Sequence, residues 1–460
     1  MVGIASYGVY VPFHRLDRAE IGRSLGARGG RGSRSVASYD EDTTTMAVAA
    51  ARAALRDAGP CGSLWFATTR PAYLEKSNAT TVAAAGGLPE AVAAFDVAGA
   101  LRGSAGALRA ALAQGDGVAV MSDLRFGLPG SADESGGADG AAAFVIGADP
   151  VAELLGTASV SSEFTDRWRE PGEARTRTWE ERFGVEEYVP LAERAVEQVL
   201  EGAGLKLGDV DHVVLSCAHE RALRTVGARL TEAQAAGAAR FDLGHAGAAD
   251  LGLRLAAALD AAEPGHLVLA VGVTEGADAF LFRVTERHRS GRRATSGTAA
   301  TGPVSYSDYL TWRGLLPREP ARRPDAKPPV PPASRRTAGW KFGFVAAQCG
   351  TCGYRNLPPR RVCLRCSAVD GFAPVSMVEV PATIATFTDD WLSESPRLPA
   401  RVVAVDFAGG GRFEFEMTDA EGREIAIGDR VQPAFRLAGV AGNGIRNYIW
   451  KVRPHEKEAD

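Results

Sequence analysis

The chain has 460 residues, 45% of them hydrophobic and 23% charged, a globular composition with room for two or three domains rather than one. Its net charge of -4 excludes a whole-chain attraction to nucleic acid or to an anionic membrane. No apolar run approaches the roughly 20 residues that a membrane span requires.

At the N-terminus, MVGIASYGVYVPFHR lacks a basic start followed by an apolar core, so a secretory signal is not expected and a cytoplasmic location is. Helix-like and strand-like patterns then alternate and repeat. ARAALRDAGP (51–60) precedes the apolar run SLWFATT (63–69), and AERAVEQVLEGAG (192–204) precedes DHVVLSCAH (211–219). GALRAALAQGDGVAVMSD (106–123) matches GLRLAAALDAAEPGHLVLAVGV (252–273), and AAAFVIG (141–147) corresponds to DAFLFRV (278–284). Each unit reads as a helix followed by a short buried strand. Such alternation predicts an α/β domain with mostly covered sheets, and the matched pairs predict a pseudo-twofold duplication within residues 1–316.

Composition changes near residue 317. Seven prolines fall between Pro317 and Pro332, which predicts an extended, semi-rigid stretch. Eight Lys/Arg between Arg313 and Lys341, against Glu319 and Asp325, make it basic. A solvated spacer is the simplest reading, and contact with an anionic ligand or partner is the alternative. The linker is assigned to 317–340, a cysteine module to 341–376 and a β module to 377–460. In the last of these, ATIATFT (382–388), ARVVAVDF (400–407), RFEFEMT (412–418), RVQPAFRL (430–437) and RNYIWKV (446–452) are punctuated by turn residues. Five short strands of this kind predict a small OB-type β-barrel. Ten Lys/Arg against fourteen Asp/Glu from Met377 to Asp460 do not give it the charge that single-stranded nucleic acid needs. Tyr448 and Trp450 are read as packing residues.

Four of the six cysteines, Cys349, Cys352, Cys363 and Cys366, form CxxC-x10-CxxC. Each CxxC is a tight turn that aims two thiolates at one point, and two of them supply the four sulfurs of a closed, structural zinc site. A ribbon that has kept its cysteines without metal is the alternative. A redox role is weaker, because a redox CxxC normally stands singly beside a βαβ unit.

The duplicated part resembles the thiolase superfamily, in its archaeal-type 3-hydroxy-3-methylglutaryl-CoA (HMG-CoA) synthase branch. The resemblance rests on GIASYGVYVP (3–12), DEDTTTMAVAAARAAL (40–55), GLPGSADESGGADGAAAFVIG (127–147), EFTDRWREPGE (163–173), ERFGVEEY (181–188), VVLSCAH (213–219), EGADAF (275–280) and SYSDYLTWRG (305–314). Residues from about 335 to 455 resemble the zinc-ribbon/OB proteins that accompany acyl-CoA thiolases. The resemblance implies a five-layered αβαβα fold, coenzyme A thioesters as substrates and C–C bond formation by acyl transfer. It also implies a homodimer, or a heteromer with a thiolase that carries a nucleophilic cysteine.

Synthases of this branch use Cys, Glu and His, with an Asn nearby. The resemblance puts the Cys position on Leu101, in AFDVAGALRGSAGALRAAL, and the Glu position on Thr68 or, preferably, Thr69. It puts the His position on His219 and the Asn position on His245. An aliphatic Leu101 cannot hold a thioester; Ser104 lies three residues on, and Cys61 and Cys217 are poor substitutes. The duplication predicts that Thr69, Leu101, His219 and His245 converge on one pocket. Two functions follow. One is a subunit that works with a cysteine-bearing thiolase partner. The other is a self-sufficient, cysteine-free aldolase, retro-aldolase or acyltransferase using His219 and His245.

Overall fold

The computed structural model describes residues 1–56, 58–59, 61–231, 243–288, 301–319, 329–393 and 395–455. Its first part contains β1 (Gly3–Tyr10), β2 (His14–Asp17), β3 (Ser33–Val36), β4 (Ser63–Thr68), β5 (Ala93–Ala98), β6 (Gly117–Asp123) and β7 (Gly140–Gly147). Among them run α1 (Arg18–Leu25), α2 (Thr43–Leu55), α3 (Ala79–Gly86), α4 (Gly103–Gln114) and α5 (Ala132–Gly136). The second part contains β8 (Ala152–Ser161), β9 (Arg167–Trp168), β10 (Arg177–Thr178), β11 (His212–Cys217), β12 (Leu267–Thr274), β13 (Gly276–Val284) and β14 (Gly302–Pro303). Its helices are α6 (Glu181–Ala203), α7 (Glu220–Thr231), α8 (Asp250–Ala261) and α9 (Tyr306–Trp312).

Nine strands form a mixed sheet in the order β11-β12-β13-β8-β1-β7-β6-β4-β5. In the first half β4 runs parallel to β6 and β6 antiparallel to β7. In the second, β11 runs parallel to β12 and β12 antiparallel to β13. The same pairing rule thus recurs, as the repeated sequence units predict. The halves join where β1 meets β8 over two residue pairs, Gly3 with Glu153 and Ile4 with Ala152. Gly3 is needed there, because a Cβ would collide with the Ala152 carbonyl.

Residues of α4 and α8 share one apolar cluster with strands of both halves, including Leu108, Ala111, Leu253 and Leu259 with Phe144 and Phe280. These two helices are therefore a central layer. Residues of α2 and α3 pack on the outer face of the first half-sheet, and those of α6 and α7 on the outer face of the second. Strands β6 and β7, buried along nearly their whole length, are the apolar runs expected of a sheet covered on both sides. Helix α2 starts cleanly because Asp42 and Thr45 form a reciprocal capping box.

The remaining elements are α10 (Pro331–Gly343), β15 (Val345–Cys349), β16 (Arg355–Asn356), β17 (Phe372–Ser376), β18 (Ala382–Asp390), β19 (Ala400–Phe407), β20 (Arg412–Glu416), β21 (Arg430–Val440) and β22 (Arg446–Pro454). The proline-rich stretch differs from the extended expectation at its end. Pro331 and Pro332 open α10 in its first turn, where the missing N–H costs nothing, and the helix runs on through residues placed in the linker. Pro320, Pro324 and Pro328 lie outside the described residues.

Strands β16-β15-β17 form a small sheet and β20-β19-β18-β21-β22 a second one. The second sheet is an open ladder. Its two edges touch through an isolated parallel bridge between Met417 and Val452 and a 2.8 Å hydrogen bond from Thr418 N to the Val452 carbonyl. Tyr448 and Trp450 are buried, as their alternation predicts, and pack on Phe435. Burying such rings contributes about 1.5–3 kcal/mol each.

This C-terminal part does not stand apart. Phe344, Phe435 and Trp450 belong to the same apolar cluster as Met46, Ala50 and Val82 of α2 and α3. The turn before α2 is driven into it: buried Arg436 contacts Asp40, Glu41 and Asp419, and Lys451 contacts Asp40 and Glu416. Tyr448 donates to Asp42 at 2.7 Å.

Candidate functional site

Where the ends of β11 and β12 approach the N-termini of α4 and α8, they enclose a cavity of about 20 Å³, lined by Leu101, Ser104, Cys217, His245, Thr274 and Asp278 among others. That is room for about one water. Leu101 sits in the turn that opens α4. Its carbonyl accepts from the Ser104 hydroxyl at 3.0 Å, so Ser104 is folded back on its own turn. Arg102 reaches across to the other half, donating to Asp278 (2.8 Å) and to the Ser161 hydroxyl (2.8 Å), which locks the two halves on either side of the cavity.

His245 is held by its backbone on both sides, its N–H donating to Gly136 O (2.9 Å) and its carbonyl accepting from Ala138 N (3.1 Å). Its Nδ1 accepts from Gly247 N at 3.1 Å, which assigns the neutral ring's proton to Nε2, 3.7 Å from Asp250. Burial pushes the His245 pKa down to about 4. The Asp250 charge opposes this, and Arg125, Arg254 and Arg167 reinforce it. The ring is therefore neutral at pH 7. Asp250 accepts from Ser216 (2.8 Å) and Arg254 (2.8 Å); against the upward pull of burial, His245 and Arg254 hold its carboxyl at about 2.

Thr69 donates to both oxygens of Asp123, at 2.8 and 3.0 Å, and Asp123 in turn accepts from Ala248 N at 2.9 Å. Thr69 is thus tied through one carboxylate to the turn that carries His245. Burial pushes the Asp123 carboxyl upward. Gly247 is required here: its φ is +58°, and a Cβ would overlap the Asp123 carboxylate.

His219 follows β11, and its Nδ1 accepts from Ala222 N at 3.1 Å. Its Nε2 is buried with no hydrogen-bond partner among the described residues. The ring packs 5.6 Å from Tyr188 and against Gly184, where a Cβ would come within 2.7 Å of Nε2. Leu101 and His245 therefore line one cavity, Thr69 stands behind it through Asp123, and His219 is absent from its lining. Burial pushes the Cys61 thiol up to about 11 and the Cys217 thiol up to about 12, so neither is a thiolate at neutral pH.

Far along the chain, the Sγ atoms of Cys349, Cys352, Cys363 and Cys366 all lie within 4.8 Å of one another. Cys349 and Cys366 are 3.7 Å apart, and Cys352 and Cys363 are 3.6 Å apart. Four thiolates at about 2.3 Å from a tetrahedral ion stand about 3.8 Å from each other, so the donor set fits zinc. Asn356 orients this knuckle. Its Oδ1 accepts from Leu364 N (2.9 Å) and its Nδ2 approaches Cys363 Sγ (3.8 Å).

Sequence reading missed Asp123, Asp250 and the Arg102–Asp278 pair. The available signal was an acidic residue ending the apolar run VAVMSD and another opening the helix at 250, and both patterns are common.

No family model matches the chain. Among curated proteins, it is 33% identical to the HMG-CoA synthase of Archaeoglobus fulgidus over 336 residues, covering 68% of this chain and 97% of that one. It is 32% identical to the HMG-CoA synthase of Methanothermobacter thermautotrophicus, covering 69% and 99%. Among solved structures, similar folds include MvaS in complex with 3-hydroxy-3-methylglutaryl coenzyme A (TM-score 0.56, 21% identity, 72% of this chain and 94% of that one). Another is 3-oxoacyl-(acyl carrier protein) synthase III of Pseudomonas aeruginosa (TM-score 0.55, 21% identity, 62% and 98%). Archaeal relatives matched over nearly their full length, together with a duplicated core of the same fold, lead to one conclusion: the chain belongs to the hydroxymethylglutaryl-CoA synthase family.

Proposed function

We propose that the protein handles acyl-CoA thioesters in a C–C bond-forming reaction of the thiolase type, as a subunit whose catalytic thiol comes from a partner thiolase. The observation that carries this reading is the N-terminus of α4. Leu101 occupies the turn where a nucleophile would gain from the helix dipole, and the nearby Cys217 is a buried, protonated thiol. The two imidazoles point the same way. Each has Nδ1 occupied by a backbone N–H, which leaves Nε2–H as a donor. When a thioester α-carbon loses its proton, negative charge moves to the carbonyl oxygen, and a preset N–H donor is what stabilises it.

Within this reading, residues 1–316 form the thiolase-fold domain, 341–376 a zinc ribbon and 377–460 an OB-fold domain, with 317–340 joining them. The strand order of the C-terminal sheet and the Met417–Val452 bridge support the OB assignment. Zinc would be held by Cys349, Cys352, Cys363 and Cys366, where it would staple a module with little core of its own. Edge strand β5, with Phe95 49% exposed, supports pairing with a second copy or with the thiolase.

The cysteine-free aldolase is the second reading, and the unpartnered Nε2–H of His219 favours it as a proton donor rather than as a base. His245 fits it less well, since an imidazole with a pKa of about 4 is a weak base at neutral pH. Purification alone and with a thiolase encoded beside it separates the two. The subunit reading expects acyl-CoA turnover only in the co-purified complex. Turnover by the isolated chain that is lost in His219→Ala would overturn it.

A further inference from the structure

A second cavity, of about 90 Å³, lies where α2 of the duplicated core meets strands β21 and β22. It is several times larger than the one-water space at Leu101, and large enough for a tetrahedral oxyanion. Cations dominate its walls. Arg52 lies in the last turn of α2 and Arg56 directly after it, Arg436 lies on β21 and Arg453 on β22. Among the described residues, Glu379 is the one acidic side chain that lines it.

Arg436 is matched inside the fold by Glu41 and Asp419. The other three cations are not matched in the same way. Arg52 and Arg56 share Glu379, at 3.5 and 3.7 Å, and that carboxylate is more than half exposed. Arg453 forms no ion pair with a described residue. Its Nε (2.6 Å) and Nη2 (2.8 Å) donate to the Gln432 amide oxygen once that amide is turned to suit its neighbours, and its guanidinium lies 5.9 Å from the Tyr10 ring centre. Turned this way, the Gln432 NH2 is a further donor. Arg52 Nη1 donates to the Ala85 carbonyl at 3.0 Å, but its Nε is buried without an acceptor. Burial pulls the Arg52 guanidinium below its ordinary range; Glu379 opposes this and Arg56 adds to it. An enclosed, unmatched N–H on a cation is costly unless something fills it. The carbonyl end of α2 accounts for cations at 52 and 56. It does not account for Arg453, which β22 supplies.

We propose that Arg52, Arg56 and Arg453, with the Gln432 amide, form a site for a phosphate-type oxyanion, free or as a monoester, that ties α2 to the C-terminal sheet. A guanidinium fork meets two phosphate oxygens in parallel hydrogen bonds, and the remaining oxygens are left for donors on the other wall. The site shares no lining residue with the cavity at Leu101 and does not rest on the acyl-CoA reading.

The test is calorimetric titration of the full chain with inorganic phosphate and with adenosine monophosphate, against chloride at equal ionic strength. Saturable, single-site binding is expected. Arg453→Gln should weaken it about tenfold, and Arg56→Gln, at an exposed position, about threefold. Glu379→Gln removes the facing carboxylate and should tighten binding about threefold. Arg412→Gln, whose guanidinium pairs with Asp406 at an exposed position, should leave binding unchanged. Saturation by phosphate alone identifies the ligand as a free ion; equal binding of the nucleotide, lost in the same variants, identifies it as a monoester. No saturable binding of either, or binding that none of the three cavity substitutions changes, would overturn the site. Should Arg453→Gln fail to fold, the opposite signs expected for Arg56→Gln and Glu379→Gln decide in its place, and effects of the same sign would overturn the site.

Discussion

His245 stays uncharged at neutral pH because the fold strips its water and surrounds it with arginines, and this has a consequence for stability. The unfolded imidazole titrates at its ordinary 6.5, and the folded one at about 4. Between those values the unfolded chain binds a proton that the folded chain refuses. The contribution is fully present above pH 6.5 and is lost as pH falls toward 4, by about 2–3 kcal/mol. His245→Asn keeps an uncharged donor and removes the titration. Its melting temperature should therefore fall less than that of the unmodified chain between pH 7.5 and 5; parallel curves would refute the shift. Leu101 supports a second prediction. A thiol at that turn would sit at the N-terminus of α4, where the helix end lowers its pKa. Leu101→Cys incubated with acetyl-CoA should gain one acetyl group by intact mass while the unmodified chain gains none. An adduct on the unmodified chain would place a nucleophile at a residue other than Leu101.

Among the elements, the cysteine knuckles are the ones that the proposed zinc would affect most. Strands β15, β16 and β17 bury few apolar side chains of their own, so zinc on the four sulfurs would hold them. Freshly purified protein should carry about one equivalent of zinc, and Cys363→Ser should carry far less and melt about 5 °C lower or more. Metal analysis well below one equivalent in fresh protein would remove the ribbon site. Helix α10 shows how an element escapes sequence reading. Its residues carry no regular apolar stripe, and two prolines stand at its start. It is helical because Trp340 and Phe342 find a surface to cover, and the Phe342 carbonyl accepts from Trp450 Nε1 at 2.9 Å.

Across the whole molecule, the C-terminal sheet and the duplicated core share one apolar cluster and one buried ionic network. They should therefore unfold together, with far-UV dichroism and tryptophan fluorescence giving coincident thermal transitions; two separated transitions would show independent modules. Arg436 is the keystone, 1% exposed and facing Asp40, Glu41 and Asp419. Arg436→Met leaves Glu41 and Asp419 buried without their cation, while Asp40 keeps Lys451, and should cost about 3–5 kcal/mol in urea unfolding. A loss under about 1 kcal/mol would mean that the network is relieved by protonation or water.

The repeated helix–strand units and the paired CxxC cysteines were legible in the chain, because each depends on local spacing: 3.6 residues per helical turn, two per strand repeat, two between paired thiols. The five C-terminal strands were legible for the same reason: β18, β21 and β22 run two or three residues further than the pattern indicated, β19 matches it and β20 stops two residues short. Leu101, Thr69, His219 and His245 were singled out by the family resemblance, which no local spacing supplies. Only the tertiary structure decided which imidazole faces the cavity, that Asp123 ties Thr69 to the opposite half, and that Asp40 and Glu41 belong to a C-terminal arginine. Those outcomes rest on contacts between groups 125 to more than 390 residues apart, such as Asp123 with Ala248 and Asp40 with Arg436. No local periodicity encodes such contacts; burial fixes them, by making every enclosed charge find a partner wherever the fold supplies one.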